Sequence, residues 1–327
     1  MIRKPAPRLV GATAALTAAV TLGVACVPEG PGGSTTTSTQ APTTQTPTTE
    51  TPTTETPTTE TPTTLAPMVA NATFTNTTGL AQVGSTVTVT GTGFDPALIT
   101  PPGTPANAAV AGVYVAIGTG SGPVPTAYTS AKYIRPTGPS PETASGAKLE
   151  ADGSFSATIN TVALFNGQGQ TVNCYIDACN VYVWSAHMGT VPSWSFSAPV
   201  TFAAPTETQM LVSKSADLAN GETVTVSGVG YQAAGPGIYV GQMPWTQSAL
   251  PADWSTNSAA WGPTKFLPFP SQVNASGAWR TTLATAKNIG EVDCSTADSC
   301  SIGSVRAHGT ADPTGQNTAF ATITFAP

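Results

Sequence analysis

Two histidines and five cysteines are the chain's whole stock of imidazole and thiol chemistry. His187 and His308 each stand eight residues beyond the second cysteine of a close pair, Cys174/Cys179 and Cys294/Cys300. A nucleophilic site needs a serine or cysteine with a base beside it, and a metal site needs ligand spacings such as His-x-x-x-His. Neither pattern occurs, nor does a Gly-x-Ser-x-Gly turn, so the sequence offers no catalytic residue, no metal ligand set and no cofactor. One histidine in each of two separate segments cannot build a joint site without an intimate interface, and a structural hydrogen bond at a surface or strand edge accounts for both. The four paired cysteines read as staples, because their short spacings suit hairpin bridges in an exported chain. Closing so small a loop contributes about 2 kcal/mol.

The elements that hold these residues occur twice. Gly84-Ser-Thr-Val-Thr-Val-Thr-Gly-Thr-Gly-Phe94 returns as Gly221-Glu-Thr-Val-Thr-Val-Ser-Gly-Val-Gly-Tyr231. Gly112-Val-Tyr-Val115 returns as Gly237-Ile-Tyr-Val240, Asp152-Gly-Ser-Phe155 as Ser276-Gly-Ala-Trp279, and each copy ends on a Thr-Phe-Ala run. The order is the same both times, and the unit is too long for a solenoid repeat. The expected organisation is a signal segment over 1–26, a linker over 27–66 and two copies of one domain over 67–204 and 205–327, each long enough to bury its own core.

Only 9% of residues are charged, so threonine, serine, glycine and alanine must supply the surface, a composition found in secreted β proteins. The net charge of -6, with eleven scattered basic residues, excludes a phosphate-binding face and with it direct nucleic-acid binding.

The N-terminus has the parts of an export signal: Arg3, Lys4 and Arg8, an apolar stretch from Leu9 to Ala25, then Cys26. A cysteine after Leu22-Gly-Val-Ala25 resembles the bacterial lipobox, with Gly23 where leucine is usual. Lipidation of Cys26 would leave two even cysteine pairs and tie the protein to the membrane through a lipid anchor, exposed in the cell wall. The alternatives are cleavage after Ala25 with secretion, or an uncleaved anchor. From Thr46 the linker repeats Thr-Pro-Thr-Thr-Glu with almost nothing to bury, so it is disordered and stiffened towards polyproline II. At about 3.1 Å per residue it reaches roughly 120 Å when extended, and such tracts are also O-glycosylation substrates.

Both copies read as all-β. Val87 and Val89 alternate with Thr86, Thr88 and Thr90, and Val224 and Val226 alternate with Thr223, Thr225 and Ser227, a period of two with one apolar face. Gly91, Gly93, Gly228 and Gly230 mark expected bends or bulges. Short strands parted by turn residues predict two tandem immunoglobulin-like β-sandwiches of about seven strands each. Polar excursions are expected between Tyr114 and Phe155 and from Trp245 to Val273.

The second copy resembles the neocarzinostatin family, the secreted sandwich apoproteins of actinobacteria that carry enediyne chromophores. The resemblance rests on Leu218-Ala-Asn-Gly-Glu-Thr-Val-Thr-Val-Ser-Gly-Val-Gly-Tyr231, on Tyr239-Val-Gly-Gln-Met-Pro-Trp245 and on Gly290-Glu-Val-Asp-Cys-Ser-Thr-Ala-Asp-Ser-Cys300. It implies a chromophore cleft in which Trp245 would offer an indole face. The sequence departs from the family where Met243 replaces a cysteine of a second disulfide and where Trp184 and Val305 take a small polar cleft position. The competing expectation is that Trp245 packs beneath its excursion. The Gly-Val-Tyr-Val and Ala-His segments also look like modules found beside haem-binding HtaA-type domains, which would make Tyr114/His187 and Tyr239/His308 ligand candidates.

The reading that follows is a non-enzymatic, surface-anchored actinobacterial protein that binds an extracellular protein or glycan, or acts as a spacer. The alternative is a carrier of a hydrophobic small molecule, an enediyne-type chromophore or haem, with any DNA or antimicrobial role borne by the ligand.

Overall fold

A computed structural model describes residues 68–96, 112–129, 131–186, 194–309, 312 and 315–327. The signal segment with Cys26, the whole linker and His187 lie outside the described residues. The described part belongs to one compact unit, Thr64–Pro327.

The first half contains β1 (Asn71–Thr75), β2 (Val83–Thr92), β3 (Val113–Thr119), β4 (Ala127–Tyr128), β5 (Lys132–Arg135), β6 (Gly146–Lys148), β7 (Phe155–Val162), β8 (Leu164–Gly167), β9 (Gln170–Asn173), β10 (Cys179–Ser185) and β11 (Phe196–Pro199). The second contains β12 (Gln209–Val212), β13 (Thr223–Val229), β14 (Gly237–Met243), β15 (Thr264–Pro268), β16 (Trp279–Ala284), β17 (Asn288–Ile289), β18 (Val292–Asp293), β19 (Cys300–Arg306) and β20 (Ala319–Ile323). Three-stranded sheets β1-β2-β7 and β12-β13-β16 face larger sheets ordered β11-β10-β3-β5-β6 and β15-β14-β19-β20. In each half a short parallel bridge, Leu80 to Phe202 or Leu218 to Phe325, ties the opening segment to the closing one.

The alternation of apolar and hydroxyl residues sets the layers. On β2, Val87 and Val89 are fully buried while Thr88 and Thr90 face out, and Val224 and Val226 repeat this on β13. The facing sheets supply Val113, Val115 and Ile117 in one core and Ile238 and Val240 in the other. The two cores share no residue.

Gly91 and Gly228 do not bend their strands. Both sit in unbroken register with the neighbouring edge strand, opposite Phe155 and Trp279. They are small because an aromatic ring lies on them: a Cβ would fall 2.0 Å from a ring atom of Phe155 at Gly91 and 2.5 Å from Trp279 at Gly228. Those rings pack edge to face on Phe94 and Tyr231, with centroids 5.3 and 5.2 Å apart, the same pair in each core. The bends fall at Gly93 and Gly230, whose φ values of +70° and +78° exclude most other residues. Burial pushes the Tyr231 phenol far above its usual pKa, although its hydroxyl bonds the Ser304 hydroxyl at 2.8 Å.

Both short cysteine pairs are bonded, Cys174 to Cys179 and Cys294 to Cys300. The first loop reaches into the second half. Asn173, fully buried, donates from Nδ2 to Ser227 Oγ and to the Gly228 carbonyl, both at 3.0 Å, and its Oδ1 accepts from the Tyr175 amide. Asp177 receives both terminal nitrogens of Arg280. Asn274 Nδ2 donates to the Tyr175 carbonyl at 3.1 Å, and Asn166 Nδ2 to the Val212 carbonyl at 2.8 Å. Ser227 stands on the outward side of β13 yet is fully buried, because the first half covers it.

The ring-on-glycine contacts generate a test. Trp279 is fully buried and cannot swing aside, so Gly228→Ala should destabilise the chain by about 1–3 kcal/mol, as overpacked cores do. Gly91→Ala should do the same through Phe155. Thermal unfolding unchanged by either substitution would show that the rings are not seated there.

Candidate functional site

The outer face of the sheet β15-β14-β19-β20 carries the residues for which a ligand was expected. Side chains alternate along β14, so Tyr239, Gly241 and Met243 point away from the core that Ile238 and Val240 enter. Their register partners Val305, Gly303 and Ser301 on β19 share that face, and Phe320 joins them from β20 opposite Gly303.

Two facing glycines, Gly241 and Gly303, leave a trough, and the chain fills it itself. Trp261 lies over Gly241, where a Cβ would meet its ring at 3.0 Å, and Met243 presses on Gly303. The indole N–H of Trp261 donates to the Trp254 carbonyl at 3.2 Å, and Trp254 meets Phe320 edge to face at 5.2 Å. Trp245 is half-buried against the same cluster, its carbonyl accepting from Ser301 Oγ at 2.7 Å. Its indole nitrogen is buried without a hydrogen-bond partner. Trp245 is therefore one of three tryptophans folded onto the sheet by the excursion that follows β14.

Beside Val305 lies a cavity of about 220 Å³ bounded by Trp254, Ser255, Thr256, Arg306 and Asp312, and a shallower hollow of about 360 Å³ runs from Phe320 and Gln247 to β12. Sites for drug-sized ligands run to roughly 300–1,000 Å³. The cavity falls below that range and the hollow is shallow, so neither encloses an extended polycyclic ligand. Val305, in the position where the resemblance implies a small polar residue, lies on the wall of the cavity and is 6% exposed.

Tyr239 and His308 come together. The Tyr239 hydroxyl lies 3.3 Å from His308 Nδ1, and the two rings are 5.6 Å apart. Phe266, paired with Tyr239 across β14 and β15, contacts both rings at 5.4 and 4.9 Å and is itself exposed. His308 is exposed and has φ +59°, a left-handed backbone uncommon outside glycine. The result is an aromatic rim around an imidazole at the edge of the sheet.

The first half fills its own outer face differently. Ala116, Tyr182 and Trp184 are buried there, with Tyr114 and Tyr128 packed on them. Tyr114 lies 5.2 Å from Tyr133 and 5.6 Å from Trp184, and burial followed by the neighbouring Tyr128 raises its phenol pKa. Trp184, at the second departure from the family pattern, is a packing residue at 6% exposure. The proposed pairing of Tyr114 with His187 falls outside the described residues. Among the described residues no cluster of three or more His, Cys, Asp or Glu could hold a metal ion, and no helix is long and apolar enough to cross a membrane.

Trp254, Trp261, Phe266 and Phe320 were not singled out in the sequence. A signal existed: three of the chain's six tryptophans fall between residues 245 and 261, in a segment otherwise made almost wholly of small and polar residues. Indoles in such a loop must cover something.

No protein-family model and no curated protein matches the chain. Among solved structures, macromomycin is similar with 21% identity over 41% of this chain and 99% of its own, at a TM-score of 0.27. Apokedarcidin is similar with 21% identity over 37% and 99%, at 0.23. The adhesin InvE of Yersinia pseudotuberculosis is similar with 12% identity over 78% of this chain and 58% of its own, at 0.20. At these scores the names transfer no ligand and no partner to this chain.

If Trp245 serves packing, Trp245→Ala should cost about 2–3 kcal/mol, somewhat less than the 3–5 of a fully buried aromatic residue. Trp245→Phe should cost little, because it keeps the ring and removes a buried, unpartnered N–H. Denaturant unfolding checks both; an alanine variant as stable as the parent would mean the indole is not packed.

Proposed function

We propose that the chain is a non-enzymatic, exported binding and spacing module of an actinobacterium, anchored by lipid at Cys26 and carried on its Thr/Pro stalk. Its two sandwiches, over 67–204 and 205–327, are copies of one unit set as a rigid pair to engage an extracellular protein or glycan. The observation that carries this reading is the joint. A carrier needs an open cleft, whereas here the chain's own aromatic residues fill the outer faces of the two larger sheets, and buried polar side chains bond one half to the other. The fully buried Asn173 side chain makes three hydrogen bonds, two of them to the other half, and Asp177 holds Arg280 with two. Such an arrangement fixes one relative orientation, which suits a spacer or a composite binding surface. Two formed disulfides agree with an oxidising compartment.

Small-angle scattering on the mature chain tests the rigid pair. The parent should give a single compact distance distribution for the sandwiches, and Asn173→Ala with Arg280→Ala should broaden it while each half stays folded. A parent as flexible as the double variant would end this reading of the joint. The mass of the same protein taken from membranes reads the anchor directly, since a chain beginning after Ala25 without lipid removes Cys26 from the proposal.

A second reading, the small-molecule carrier, is favoured by one observation, the contact of Tyr239 with His308 beside the exposed Phe266. A phenolate is a known haem-iron ligand type, and His308 is placed to accept the phenol proton. Ferric haem titrated into the parent would then give a Soret shift that Tyr239→Phe abolishes. No shift in the parent leaves the rigid module standing alone.

A further inference from the structure

We infer that the open side of the first sandwich, between the edge strands β7 and β6, is a groove for an uncharged glycan chain. This deepens the binding-module reading and rests on it.

β7 ends one sheet and β6 ends the other, and among the described residues no strand covers the space between them. Two cavities of about 510 and 570 Å³ lie along it and share Glu142 on their walls. Each falls in the size range of ligand sites. At the first cavity Lys132 is 5% exposed, a depth at which lysine is rarely found unless paired. Its ammonium donates to Glu142 Oε2 at 3.0 Å, the one partner it has among the described residues, which leaves two N–H donors. Thr129 lines the same cavity, and its buried hydroxyl has no partner. Thr143 and Asn160 add exposed polar groups on the wall. The second cavity is bordered by Ser140, Ser154 and Ser156 and by a second ion pair, Lys148 to Glu150 at 2.6 Å.

The chemistry of the lining selects the occupant. Two lysines are balanced by two glutamates, so neither a polyanion nor a polycation gains from the groove. Apolar groups, Pro139, Ala144, Phe155, Ile159 and Val162, alternate along the walls with these charged and hydroxyl groups. A purely apolar ligand would strand the polar ones, whereas a sugar ring offers a C–H face to the first and hydroxyls to the second. An extended peptide adding to β7 would need the strand's free edge. Glu142 already accepts the Thr158 amide at 3.1 Å, so the peptide would have to break a charge-assisted bond. Burial alone would raise the Glu142 pKa, but the Thr158 amide and the Lys132 ammonium outweigh it and hold the carboxyl below its usual range. It therefore stays an acceptor at neutral pH. A chain of sugar rings presents a donor and an acceptor at each hydroxyl and carries no charge, which matches alternating ammonium, carboxylate, hydroxyl and amide groups.

The second half shows what the groove requires. Lys265 pairs with Val240 in the register that places Lys132 opposite Val115. It is exposed and reaches the Thr282 hydroxyl at 3.4 Å, with no carboxylate paired to it among the described residues. The groove belongs to the first half, and Lys265 serves as the internal control.

Amide spectra of the mature chain, titrated with three uncharged hexasaccharides (a glucan, a mannan and an N-acetylglucosamine oligomer), test the inference. At least one should shift amides between residues 129 and 160 at millimolar concentration or below. Asn160→Ala and Thr143→Ala, both exposed, should weaken that binding several-fold, and Glu142→Gln by about tenfold, while Lys265→Ala changes nothing. The inference is overturned if none of the three sugars moves these amides, if the shifts map to Tyr239, Phe266 and His308 instead, or if an extended peptide produces them equally well. Each of these outcomes leaves the scattering test of the rigid pair untouched, so the two failures are distinguishable.

Discussion

The structure depends on how a chain with few charges spends its polar groups at one joint. Asn173 sits where no water reaches, and its amide is satisfied by Ser227, by the Gly228 carbonyl and by the Tyr175 amide. A buried amide left unpaired costs about 1–3 kcal/mol, so the two halves are held to one orientation by the penalty for any other. Asp177 adds a two-pronged pair with Arg280 whose side chains are 21% and 31% exposed. Solvent screening keeps its contribution modest, and its main effect is directional. The Cys174–Cys179 bridge closes the loop that presents Asp177 and the Tyr175 carbonyl, so a covalent staple in one half shapes the contact surface of the other.

The fold was legible because local chemistry and tertiary packing agree. Alternating Val and Thr name the faces of β2 and β13, and the repeated Gly-x-Gly-aromatic segment marks where each core takes its rings. What misled was the role of Gly91 and Gly228. Strand glycines usually signal bends, but here they are the floor under Phe155 and Trp279, residues more than fifty positions away that no local pattern reveals.

The site was legible in part. Tyr239 and His308 are paired as ligand candidates by a resemblance to modules beside haem-binding domains, and what the structure adds is the contact of their rings at the sheet edge. Trp245 was named from a motif, and its half-buried place depends on Trp254 and Trp261, which a polar, proline-rich excursion conceals. The joint was invisible for the same reason. Asn173, Asp177 and Arg280 are ordinary polar residues until two sandwiches meet, and Asp177 and Arg280 lie 103 positions apart.

The parallel bridges of Leu80 with Phe202 and of Leu218 with Phe325 have a mechanical meaning. In each half the opening and closing segments run side by side in the same direction, joined by bonds such as Leu80 N–H to the Thr201 carbonyl and Leu218 N–H to the Thr324 carbonyl. Tension on the two ends of either half therefore slides these segments past one another, straining the bonds of the bridge together, whereas a hairpin would be peeled open one bond at a time. Each sandwich is closed by a shear clasp, oriented to resist stretching between its own two ends.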